Sequence, residues 1–218
     1  MIIVPQVPSE VAVNALSLGD KQFYFRYLGF IIQNAGDSWG RFTALRDYDY
    51  QELAQWFALL DQLDPVSNYI PSLAGYYYSH TQNRQDTIYV VRYLVKHAMR
   101  DPKRKWWWLA QAVYIANHLL EDKALALEIA YQLANLPQTV IMPLWARQMP
   151  AFIHEQLGQK QAATKIIVDL LLNLPKLSQG EYNFMEHFIV ERMEDPEIFE
   201  QVKQALATRG FKINEPKN

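Results

Sequence analysis

Four prolines divide the chain at an almost even pitch. Pro65, Pro102, Pro137 and Pro175 lie 37, 35 and 38 residues apart, and each follows an apolar stretch. Proline cannot continue a helix, and it drives the residue before it toward extended backbone. Four helices are therefore expected to end at a regular interval, each followed by a new start. Within each interval the apolar residues recur at helical spacing: Trp56, Leu59, Leu60 and Leu63; Val91, Leu94, Val95 and Ala98; Leu125, Ile129 and Leu133; Ile166, Leu170 and Leu174. Each interval is long enough for two helices. The breaks between them read as Asn34–Asp49, His80–Asp86, Glu121-Asp122 and Gly158-Gln159. Asp20, Asp122 and Asp195-Pro196 are suited to open helices, and Gly210 is suited to end the last one, near 196–209. β-branched residues alternate over no long window. About ten helices, stacked as antiparallel pairs, are expected.

Composition narrows the functional classes. Half of the 218 residues are hydrophobic, which suits a sizeable core. The formal net charge of −2 gives no global pull toward nucleic acid or anionic membrane. With no cysteine, disulfides, thiolate nucleophiles and cysteine-bound metals are excluded. No apolar run reaches transmembrane length. The Pro-spaced start (Pro5, Pro8) resembles a tether such as follows a removed anchor. The five histidines include no i, i+4 pair, and no Gly-rich phosphate loop or serine elbow is present. Neither a metal nor a cofactor is expected.

Small and aromatic residues at fixed offsets carry a family resemblance. Leu28-Gly29 in the first interval is followed by Gly75 and Tyr78, Trp108, Ala112 and Ala124, and Ala151, Gly158 and Ala163. These offsets resemble the tetratricopeptide repeat over about 22–175. The match is degenerate: the first turn is long, Pro71 sits at position 4 of its unit and Pro150 at position 7. The resemblance implies an all-α fold, an α–α superhelix of about four such hairpins with a C-terminal capping helix pair. It divides the chain into a tether and short helix (1–19), a solenoid (20–210) and a tail (211–218). Gln33-Asn34-Ala35-Gly36-Asp37, Asp47-Tyr48-Asp49-Tyr50 and 104–112 also resemble a bacterial group of such solenoids, some of them envelope-facing. That narrower resemblance implies the bacterial cytoplasm, or the envelope-facing side of the inner membrane if an anchor precedes Met1.

The family frame implies a concave wall on the first helix of each hairpin. It consists of Phe23, Arg26, Phe30, Gln33 and Asn34; Tyr69, Ser72, Tyr76, Ser79 and His80; Trp106, Leu109, Val113, Ala116 and Asn117; and Trp145, Gln148, Phe152, Glu155 and Gln156. Such a wall suits an apolar helix or extended peptide of a partner protein, and it lacks a clamp for a terminal carboxylate. The chain's own residues 1–19 are an alternative occupant, and homo-oligomer formation is a further option. The loop Gly36–Tyr50, with Asp37, Trp39, Arg41, Arg46, Asp47 and Tyr48, reads either as a plug of the first hairpin or as a partner contact. A small-ligand protein or enzyme with this loop over the groove is the rival reading. A close-set Asp, Arg and His cluster would favour it. Arg84–Lys105 carries a local charge of +5 and runs into three tryptophans, whereas Glu181–Glu200 carries −6. The basic window reads, as alternatives, as helix packing with a solvated edge, as a surface for a charged partner, or as a contact for nucleic acid or lipid; a nucleic-acid partner is not expected. Opposed to the acidic one, it also suits steering of a partner.

Overall fold

The computed structural model describes residues 3–38, 41–173, 178–192, 196–208 and 210. It contains the helices α1 (Glu10–Leu16), α2 (Lys21–Gln33), α3 (Tyr50–Leu63), α4 (Tyr69–Tyr76), α5 (Thr87–Met99) and α6 (Pro102–His118). These are followed by α7 (Lys123–Ala134), α8 (Leu144–Gln156), α9 (Lys160–Asn173), α10 (Gln179–Arg192) and α11 (Pro196–Ala207). The architecture is all-α, with packing mainly between neighbours in sequence. The sole β-structure among the described residues is a two-residue antiparallel ladder, β1 (Asp37–Ser38) with β2 (Arg41–Phe42), inside the long first loop. The helices that the prolines were expected to end are α3, α5, α7 and α9; the first three stop at Leu63, Met99 and Ala134, and α9 is described as far as Asn173. Leu174, Pro175, Glu194, Asp195 and the tail 211–218 lie outside the described residues.

Local chemistry sets the helix ends. Asp20 accepts from Phe23 N at 2.8 Å, Asp49 from Glu52 N at 3.0 Å and Asp122 from Leu125 N at 2.9 Å. Gly158 turns α8 into α9 at φ +74°, a conformation that a Cβ would strain. At the start of α6, Pro102 supplies a ready φ, but Lys103, Arg104 and Lys105 oppose the helix dipole. Two of these cations are engaged. Arg104 pairs with Asp101 at 2.5 Å, and Lys105 curls inward to donate to the Pro65 carbonyl.

The chain forms two compact units, Met1–Ile129 and Ala130–Asn218. In the first, α5 and α6 pair along their length, and α3 and α4 pack on α5. Its core holds Phe57, Leu60, Tyr78, Leu94, Leu109 and Ile115, each fully buried. Residues 3–17 are not a free tether. Pro5 O accepts from Trp56 Nε1 at 2.7 Å, Val7 N donates to Glu52 at 2.7 Å, and Val4 and Val13 are buried. In the second unit α9 packs between α8 and α10 and also meets α11, around Ile167, Leu171, Met185, Ile189 and Leu206. Buried Ile167 and Val168, rather than the expected Ile166 and Leu170, lead the inner face of α9. No helix among the described residues is long and apolar enough to cross a membrane.

Candidate functional site

The first unit leaves a set of aromatic rings uncovered on α2, α4 and α6. On α2, Tyr24, Phe25, Leu28 and Ile32 turn inward, while Phe23, Tyr27 and Phe30 are 67%, 52% and 64% exposed. Gly29 brings α4 close, since a Cβ there would stand 2.7 Å from Tyr69 Cε1. Tyr69 also meets Phe25 edge-on at 6.3 Å, and its hydroxyl donates to Gln33 Oε1. Further along α4, Tyr76 is half exposed and accepts from Trp107 Nε1 at 3.1 Å. Trp107 and Tyr114 then carry the exposed surface along α6, and the His118 ring lies tilted against Tyr114, centroids 4.9 Å apart. The hydrogen bonds and close approaches thus join three first-of-pair helices, with Arg26, Gln33 and Asn34 at the α2 side.

The residues of the sequence frame are exposed on α2 and only partly so beyond it. Phe23, Arg26, Phe30, Asn34, Tyr76 and His80 are exposed, and Tyr69 is half-buried. In the third hairpin the frame is off by about one residue. Trp106 is half-buried and Asn117 is buried, as are Leu109, Val113 and Ala116. The reason is the crowding of α6, which packs against both α5 and α4 and stays exposed only at Lys103, Arg104, Trp107, Tyr114 and His118. In the second unit Trp145 is exposed, Gln148 is buried, and Phe152 is half-buried with its ring edge-on to Phe184 at 6.2 Å. Ser79 is buried and donates to Gly75 O at 2.7 Å. Asn117, Gln148 and Ser79 therefore line no open wall. The N-terminal segment lies on α3 and leaves Phe23 and Phe30 open.

The first loop proves to be partly core. Tyr48 and Tyr50 are buried. The Tyr50 hydroxyl donates to Tyr78 O at 2.7 Å, and the Tyr48 hydroxyl to Ala35 O. Burial pushes the ionisation of both tyrosines upward. Tyr48 is thus a plug rather than a contact residue. Arg46 and Asp47 are exposed and pair with each other at 3.8 Å, and Phe42 is 84% exposed. Trp39 and the side chain of Arg41 lie outside the described residues. Between the hairpin and α4 lies a cavity of about 390 Å³, bordered by Asn34, Asp37, Phe42, Thr43, Leu73 and Tyr77.

A second polar constellation escaped the sequence reading. Asp61 of α3, 2% exposed, accepts from Tyr93 at 2.8 Å and Arg100 at 3.0 Å, and meets His97 Nδ1 at 2.8 Å. The available signal was an aspartate on an apolar helical face opposite Tyr93, His97 and Arg100, which share one face of α5. Burial and the adjacent Asp61 raise the Tyr93 ionisation, and burial lowers that of nearby Lys105. His97 Nε2 has no hydrogen-bond partner among the described residues and the residue is wholly enclosed; the cluster clamps α3 to α5. Comparison with protein-family models, curated proteins and solved structures finds no match to this chain.

Proposed function

We infer that the chain is a non-catalytic scaffold of tetratricopeptide-like hairpins that holds a helix or peptide of a partner protein on the aromatic face of α2, α4 and α6. The observation that carries this reading is the exposure of Phe23, Tyr27, Phe30, Tyr76, Trp107 and Tyr114 on helices joined side by side. Exposed apolar surface marks interaction sites, and large rings are their usual anchors. The helix-pair alternation and the close approach at Gly29 support the repeat assignment. The test is affinity capture from the native organism with Phe30→Ala, Tyr76→Ala and Trp107→Ala. Each anchor is worth about 2 kcal/mol, so each variant weakens capture about 30-fold. Equal capture by all three variants removes this face from the reading.

A second reading, a small-ligand protein, is favoured by the 390 Å³ cavity beneath the first loop. Leu73→Trp fills that cavity. Loss of a metabolite-induced rise in Tm on this substitution, with partner capture unchanged, would select the small-ligand reading over the scaffold.

A further inference from the structure

The C-terminal half of α5 and the start of α6 form a corner whose charges are left unbalanced. Arg92, Lys96, Lys103 and Arg104 are exposed there, and Arg100 is partly so. The carboxylates at this end are already engaged. Asp61 is taken by Tyr93, His97 and Arg100, and Asp101 by Arg104. Asp64 accepts the backbone N–H of Val66 at 3.2 Å and of Ser67 at 3.1 Å. Arg92, Lys96 and Lys103 have no carboxylate partner among the described residues. Apolar side chains stand out among these cations: Met99 at 46%, Trp107 at 44% and Val66 at 60% exposure. The turn that carries Val66 is bonded to the start of α6, through Lys105 to Pro65 O and Trp108 Nε1 to Asn68 Oδ1 at 3.0 Å.

We propose that this corner docks the protein reversibly on an anionic lipid bilayer, the cations facing headgroup phosphates and Met99, Val66 and Trp107 entering the interface. Charge complementarity selects an anionic occupant, because Arg92, Lys96 and Lys103 have no carboxylate partner among the described residues and the cations here outnumber the carboxylates. The protruding apolar groups select lipid over nucleic acid. Met99 and Val66 have no ring for a base to stack on, and a strand-binding platform needs rings that successive bases can share. Trp106 and Trp107 meet edge-on at 80°, and the Trp107 indole N–H is committed to Tyr76. A shallow apolar tip ringed by Lys and Arg is what an interface accepts, with the long stems reaching back toward the phosphates. Trp107 also borders the aromatic face, so a partner held there would be delivered beside the bilayer.

The test is co-sedimentation of the full chain with vesicles of phosphatidylcholine alone and with 30 mol% phosphatidylglycerol added. Binding is expected only to the anionic vesicles, falling steeply with salt. Lys96→Gln with Lys103→Gln removes two cations, and partitioning should fall about 30-fold. Val66→Ser with Met99→Ser should abolish most binding while keeping the charge. All four sites are exposed, and unchanged circular dichroism and Tm would show the variants folded. No binding to anionic vesicles at low salt overturns the proposal, as does binding indifferent to both double variants. Binding to a single-stranded oligothymidylate that exceeds vesicle binding and survives Val66→Ser/Met99→Ser also overturns it, in favour of nucleic acid.

Discussion

Asp61 is the residue on which the α3–α5 contact turns. It is buried with Tyr93 and His97 and gathers them and the partly exposed Arg100 at 2.8–3.0 Å. Removing one member of such a cluster leaves the others buried and unpaired, which costs about 3–5 kcal/mol. Asp61→Ala is expected to lower the unfolding free energy measured in urea by that amount, whereas Asp47→Ala, at the surface, should leave it unmoved. A second consequence is alkaline sensitivity. Tyr50, Tyr78 and Tyr93 are buried, and their ionisation is raised by desolvation in the fold. Above pH ~10 the unfolded chain loses these protons while the native chain keeps them, so stability falls with rising pH, about 1.4 kcal/mol per pH unit for each tyrosine. Lys105 runs the other way over a window below the usual lysine value, because burial depresses its pKa and the unfolded chain there binds the extra proton. Chemical denaturation at pH 9 and pH 11 checks the sign. Tyr78→Phe, which loses the bond to Ile32 O but has nothing to ionise, should flatten the alkaline slope.

The helices themselves were legible in the sequence because proline and aspartate act within one turn of where they sit. Asp20 and Asp122 cap as expected, and the proline pitch marks the ends of α3, α5 and α7. Which side of a helix is open is not a local property. On α2 a single inward stripe suffices, so the frame finds Phe23 and Phe30. On α6 neighbouring helices cover most of the circumference, and the frame misassigns Trp106 and Asn117. The Asp61 cluster was missed for a related reason, since Asp61 and His97 lie 36 residues apart and meet only through packing. Gly75 fits its expected role. A Cβ there would meet Gln111 and Leu94 at 3.4 Å, and Ala112 is fully buried. Gly75→Leu and Ala112→Leu should each overpack these contacts and cost about 1–3 kcal/mol, read from thermal melts. Trp108→Ala, which empties a core position and orphans Asn68 Oδ1, should cost about 3–5 kcal/mol.

At the scale of the molecule, each unit has its own core, and stacked helical pairs contribute stability largely through nearest neighbours. Met185→Ala in the second unit should cost about 2–5 kcal/mol locally. Hydrogen exchange is expected to accelerate in α9 and α10, while α3 and α5 keep their protection; a uniform acceleration would show one cooperative block instead. The scaffold reading belongs at this scale too, because it needs the rings of α2, α4 and α6 together. The first loop has a different use. Its hairpin carries Phe42 at 84% exposure, yet Thr43 Oγ1 holds Gly36 O at 2.9 Å and Tyr48 and Tyr50 anchor the chain just beyond. A chymotryptic nick after Phe42 would thus sever the backbone while both flanks stay rooted in the core. The same point is a natural place to open the chain for circular permutation or for a two-fragment reporter, with reassembly of the first hairpin as its signal.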